Sequence, residues 1–115
     1  MSRRTQRIAE LLKSEIARIL IEDVTDPRIG LVTLVRVDVA PDLSHAVVFW
    51  SSLESTELDR IEEGLDSAAP FFRRRLARVL PLRRTPELRF RYDPSFELGG
   101  QTLAVLRSLS DDESS

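Results

Sequence analysis

The chain has no cysteine. That absence removes disulfides, a thiolate nucleophile and cysteine-based zinc sites together. One histidine, His45, is too few for a multi-histidine metal site, so neither metal nor cofactor is expected. No apolar run approaches the roughly 18 residues of a membrane span. The opening stretch, MSRRTQRIAELLKSEIARIL, starts basic and continues as a charged amphipathic pattern. It lacks the apolar core of a signal peptide, and a cytoplasmic location is expected. Glycine is scarce too, and Gly99-Gly100 matches neither the P-loop nor the dinucleotide spacing. Lysine is reduced to Lys13, against sixteen arginines. Planar guanidinium forks suit phosphate and stacking.

What the chain does have is positive charge gathered in one place. Pro70 to Tyr92 holds eight arginines (Arg73, Arg74, Arg75, Arg78, Arg83, Arg84, Arg89 and Arg91) and one acid, Glu87. The segment therefore carries a formal +7, whereas the 115 residues together carry -2. A surface polarised in this way attracts polyanions locally. Arg3, Arg4 and Arg7 begin the first helix, where the helix dipole disfavours cations. They are either a solvated helix end or a second phosphate contact.

The apolar periodicity gives the elements in order. Ile8, Leu11, Leu12, Ile16, Ile19 and Leu20 recur at helical spacing and predict a helix over 4–22, with Thr5 as a cap. VTDPRIG is a turn built on Asp26-Pro27. LVTLVRVDVA and HAVVFWSSL predict two strands, joined by PDLS into an antiparallel hairpin. Ala46, Val48 and Trp50 share the face expected to meet the helices. In the first strand the mixed set Val32, Leu34, Arg36 and Asp38 is expected outside. A second helix is expected over 54–69, capped by Ser55 or Thr56. Pro70 must kink or break it.

A third helix over 71–80 should turn Phe72, Leu76, Val79 and Leu80 inward and Arg74 and Arg78 outward. Phe71, beside the kink, could stack on a base but is expected to fold into the core. LRRTPE is a loop. Leu88, Phe90 and Tyr92 alternate with Arg89 and Arg91, predicting a third strand with a core face and a basic face. On the far face of the sheet, those two arginines are expected to contribute less to binding. DPSFELGG is a turn, and Leu103, Leu106 and Leu109 suggest a short last helix. The class is α+β, with one domain over 1–109 and a disordered acidic tail over 110–115.

Catalytic constellations are weak. Asp42, Ser44 and His45 are triad residue types crowded into one turn, where neighbours point in different directions. His45 is better read as a strand-edge residue bonded to that turn. The carboxylates Glu54, Glu57, Asp59, Glu62, Glu63 and Asp66 read as a solvated helix face and not as a divalent-cation site. The arginines remain, and they predict a polyanion-binding face.

DPRIGLVTLVRVDVAPDLSHAVVFWSSL at 26–53 and SAAPFFRRRLARVLPLRRTPELRFRYDPSFELGG at 67–100 resemble the signature stretches of bacterial ribosome-binding factor A. The opening amphipathic helix is similar as well. The resemblance covers nearly the whole chain, the acidic tail excepted. It implies a single-domain type II KH-like fold, α-β-β-α-kink-α-β. It also implies a non-enzymatic partner of the immature small (30S) ribosomal subunit that binds its 16S rRNA late in maturation. The family has no GxxG loop and uses an Ala-x-Gly kink instead. Ala68, Ala69 and Pro70 occupy that motif here, with proline in place of the glycine. RNA contact is expected through Arg73, Arg74, Arg75, Arg78, Arg83 and Arg84, with Arg3 and Arg4 as a second set, in a monomer without a small-molecule substrate. A protein-docking module using the apolar sheet face and the first helix is the competing reading.

Overall fold

The computed structural model describes residues 2–24, 29, 32–52 and 57–94. Helix α1 spans Arg3–Glu22. Its cap is Ser2 and not Thr5: the Ser2 hydroxyl oxygen accepts from the Thr5 amide at 3.2 Å. Thr5 lies three residues on and is buried, its own hydroxyl hydrogen-bonded to the Ser2 carbonyl at 3.0 Å. Both residues are helix-capping types, and only the chain's entry angle separates them. Ile8, Leu12, Ile16 and Ile19 form the buried stripe, while Leu11 is turned outward.

Strands β1 (Val32–Val39) and β2 (His45–Ser52) form the antiparallel hairpin. Its turn closes on Asp42, whose carboxylate accepts from the Ser44 amide at 3.0 Å and the Ser44 hydroxyl at 2.7 Å. Leu43 there adopts a φ of 60°, which a non-glycine residue takes only at a cost. Its side chain packs against the core, which helps to hold it there.

The face assignment holds for β2: Ala46, Val48 and Trp50 are fully buried. It fails for half of β1. The register slips between Leu34 and Arg36, leaving Val35 as a bulge. Val32 and Leu34, paired with Ser52 and Trp50, therefore pack against the core, and only Arg36 and Asp38 stay on the outer face.

Helix α2 spans Leu58–Val79 and contains Pro70. The second and third helices of the sequence reading are thus one element. Proline withholds the amide that Asp66 would accept from and costs about 3 kcal/mol in a helix interior. Ile61 and Leu65 before it, and Phe72 and Leu76 after it, are all buried. Four anchored apolar side chains outweigh one lost backbone bond at roughly 1.5–3 kcal/mol each. Pro70 itself is exposed. Val79, expected inside, is exposed, and the chain leaves the helix at Leu80, which is buried. Glu57 holds the N-cap position without a side-chain capping bond. The Ser55 and Thr56 caps fall outside the described residues, as do the turn at 25–28, the DPSFELGG turn after Pro94, the last helix and the acidic tail.

Strand β3 (Glu87–Tyr92) lies parallel to β2, giving the sheet order β1-β2-β3. Parallel neighbours need a crossover, and α2 supplies it. Leu88 and Phe90 are buried, while Glu87, Arg89 and Arg91 are exposed. Phe90 meets Phe72 with ring centroids 5.5 Å apart, and Tyr92 meets Trp50 at 5.2 Å. Both pairs fall within the range where tilted rings attract. Among the described residues the result is a three-stranded sheet with two helices, the α+β class expected.

Candidate nucleic-acid interface

Helix α2 divides its surface into three faces. Ile61, Leu65, Phe72 and Leu76 make the core face. Asp66, Pro70, Arg73 and Ala77 make a second, which borders a groove of about 1040 Å³. Phe71, Arg74, Arg75 and Arg78, at spacings of three and four, make the third. The exposed crest carries Arg74 and Arg78, one turn apart, and neither forms an ion pair among the described residues.

The opposite wall of the groove is β3 with the loop before it: Arg84, Thr85, Glu87 and Leu88 through Arg91. Arg73 fixes the loop to the helix, donating from Nε and Nη2 to the Thr85 carbonyl at 3.3 and 3.2 Å. Arg83 and Arg84 are exposed just before it. Arg84 is near enough to Asp42 to help lower its carboxyl pKa, after the larger effect of the Ser44 hydrogen bonds.

Among the described residues β3 is one edge of the sheet, with β1 the other. The Glu87 and Asp93 amides donate to Ser44 and Trp50 carbonyls of the β2 side at 3.1 and 2.8 Å. Backbone groups alternate along a strand, so those of Leu88 and Phe90 face the open edge and the groove. The groove thus offers backbone donors and acceptors beside guanidinium groups. Both signs of charge line it, Glu62, Asp66 and Glu87 among Arg73, Arg74, Arg84, Arg89 and Arg91.

The predicted arginines are not all brought together. Arg73, Arg74, Arg75 and Arg78 share α2, with Arg83 and Arg84 in the following loop. Arg75 is partly committed, because its Nη2 lies 3.2 Å from Asp23 at the end of α1. Arg3 and Arg4 are exposed at the other end of α1, roughly 30 Å along a 20-residue axis from Asp23. They form a separate patch. Arg89 and Arg91, expected on the far side of the sheet, line the groove. Their alternation with the buried Leu88 and Phe90 is as expected; their position beside the groove follows from the place of β3 at a sheet edge. Ala68 and Ala69 are half-buried at the Pro70 turn. Phe71 is half-buried as well, with only part of its surface in the core.

The triad residue types form a turn. Ser44 Oγ lies 2.7 Å from Asp42 Oδ1 and 3.0 Å from His45 Nδ1. The hydroxyl's one proton is donated in the hydrogen bond to the carboxylate, so a bond with Nδ1 needs the histidine as donor. A nucleophilic serine needs the reverse, its proton directed to the imidazole. No group of three potential metal ligands occurs among the described residues. No described helix is long and apolar enough to cross a membrane.

Comparison with known proteins agrees with this architecture. A family model described as ribosome-binding factor A matches residues 4–106. Ribosome-binding factor A of Aromatoleum aromaticum is 39% identical over 111 residues, covering 96% of this chain and 87% of that one. Its counterpart from Pelobacter propionicus is 40% identical over 111 residues, covering 96% and 91%. The crystal structure of ribosome-binding factor A from Thermus thermophilus superposes with a TM-score of 0.69 at 26% identity, over 76% of this chain and 93% of that one. A Thermus thermophilus homology model, fitted into a cryo-EM map of a 30S complex with the factor, gives 0.65 at 27% identity, over 78% and 96%. With a family match across nearly its whole length and relatives near 40% identity, the chain belongs to the ribosome-binding factor A family.

Proposed function

We propose that this protein binds the free, immature small (30S) ribosomal subunit in the cytoplasm and assists late 16S rRNA processing and maturation. It acts as a monomer, by binding and not by catalysis. It holds rRNA through the arginine face of α2 and the adjoining groove. One observation carries the reading: a chain of net charge -2 presents Arg74 and Arg78 side by side on an exposed crest, beside a groove bordered by Arg73, Arg84, Arg89 and Arg91. Bulk charge cannot hold such a chain on RNA, so a local patch must. The Thermus thermophilus counterpart, described in a complex with the 30S subunit, supports the choice of partner. Arg83 extends the patch along the loop, and Arg3 and Arg4 serve as an outlying phosphate contact. The backbone edge of β3 adds neutral hydrogen-bonding groups that charge alone would not supply.

The test is co-sedimentation of the protein with purified small subunits across a salt series. Each phosphate neutralised releases counterions and steepens the fall of affinity with salt. Replacing Arg74 and Arg78 together by alanine should weaken binding and reduce the log-log slope by up to about 2. A folded double variant with parental affinity and slope would remove this face as the contact. A protein-docking module would instead show little salt dependence in the parent.

A further inference from the structure

Of the third face of α2, only Arg74 also borders the groove. Phe71, Arg74, Arg75 and Arg78 line a second, half-open depression of about 260 Å³. Three observations give it chemical character. The Phe71 ring is partly buried: it packs against the core and meets Phe72 edge-on, with centroids 6.3 Å apart, and keeps part of its surface exposed. The Arg75 guanidinium carbon stands 5.8 Å from the Phe71 centroid. Arg75 Nε is buried with no hydrogen-bond partner among the described residues. An unpaired buried donor costs free energy unless a ligand or water satisfies it.

An apolar aromatic floor ringed by three cations selects its occupant. A cationic ligand is repelled, and an aliphatic group leaves the guanidinium groups unanswered. A lone phosphate leaves the ring unused. An unstacked nucleobase with its attached phosphates answers ring and crest together: its flat face stacks on Phe71, and its phosphates meet Arg74 and Arg78. The cavity is smaller than the usual drug-sized site, and it suits one base with part of its sugar. We infer that Phe71, with Arg74, Arg75 and Arg78, forms a stacking site for a single unstacked nucleobase of single-stranded RNA, across the crest of α2 from the groove. The inference rests on the RNA-binding reading above and adds a base contact to what is otherwise a phosphate surface. Arg75 acts here as a positioning residue: Asp23 holds its Nη2, leaving Nε beside the ring.

The experiment compares two probes of equal charge, a uridine decamer and the matching abasic ribose-phosphate decamer. Binding to the intact protein is followed by fluorescence anisotropy at fixed salt. The parent should prefer the uridine decamer. Phe71→Ala should weaken binding of that decamer by about tenfold and leave abasic binding and both salt slopes unchanged. Phe71→Leu, which keeps most of the apolar packing against Phe72, should show the same selective loss, so the test survives if the alanine variant does not fold. Phe71→Trp should retain the preference. An equal loss on both probes, or no loss on either, overturns the stacking site. So does a parent that binds the two alike, or that sediments with small subunits but binds neither decamer; the proposed function stands in those cases. A parent that binds neither the decamers nor the subunits removes both readings together.

Discussion

Asp23 and Arg75 join the end of α1 to the C-terminal half of α2, with Oδ1 and Nη2 3.2 Å apart. Their side chains are 22% and 38% exposed, so solvent partly screens the pair. It is a cross-helix contact between elements that otherwise meet through apolar side chains. Asp23→Ala should cost about 0.5–1 kcal/mol by urea denaturation and free Arg75 to turn away from Phe71. Stability unchanged within error, with the preference for uridine over abasic RNA also unchanged, would show that the contact does not position Arg75.

The orientation of α2 gives a paired prediction. Leu76 is fully buried and Arg78 exposed on the crest. Leu76→Ala should lower stability by about 2–5 kcal/mol through lost burial and an incompletely filled cavity. Arg78→Ala should cost under about 0.5 kcal/mol. Similar losses in chemical denaturation would mean that the helix is rotated from the orientation described.

Pro70 occupies a helix interior, so its replacement reports on what the proline is for. Pro70→Gly restores an amide that Asp66 can accept from, and glycine costs less than proline there, by about 2 kcal/mol. The variant should fold, with a stability equal to or above the parent's, and should keep subunit binding. Loss of binding with the fold intact, judged by circular dichroism and sedimentation, would show that the groove needs the proline's fixed geometry.

The hairpin turn carries a pH dependence. The Ser44 hydroxyl and amide hold the Asp42 carboxyl below its ordinary value, with a smaller contribution from the Arg84 charge. A carboxyl lowered on folding stabilises the fold above its unfolded pKa, and that contribution is lost as pH falls through the lowered folded value. Asp42→Asn keeps a turn-forming side chain but cannot titrate. The stability advantage of the parent over this variant should therefore be full near neutral pH and shrink on acidification below about pH 4. A gap that stays constant from pH 7 to pH 3 would mean that the turn does not depend on the charge.

Much of this architecture was legible because apolar spacing reports local geometry. The stripe of α1, the burial of Trp50 with Ala46 and Val48, and the exposure of Arg74 opposite Leu76 all follow from periods of 3.6 and 2. The bulge at Val35 was hidden because Leu34 and Val35 are both apolar, and alternation cannot register a skipped residue between two such neighbours. The continuity of α2 through Pro70 was hidden for a different reason. Local propensity argues for a break, and only tertiary burial on both sides decides against it. The groove was half-legible: the α2 arginines announce themselves, but Arg89 and Arg91 join them only once β3 is placed at the edge. That placement belongs to topology and not to the residues of the strand. The Phe71 cavity depends in the same way on how far the ring is drawn into the core.

The parallel pairing of β3 with β2 has a kinetic consequence. His45 opposite Glu87 and Trp50 opposite Tyr92 are contacts between residues some forty positions apart, whereas the β1–β2 hairpin closes across a short turn. Long-range pairing must meet its loop-closure entropy before any contact rewards it. Edge strand β3 is therefore expected to dock after the hairpin and α2, and the groove forms only with it. A partner gripping both walls would slow the loss of this last-added strand, so amide exchange at Arg89 and Arg91 should report its occupancy more sensitively than exchange in the hairpin.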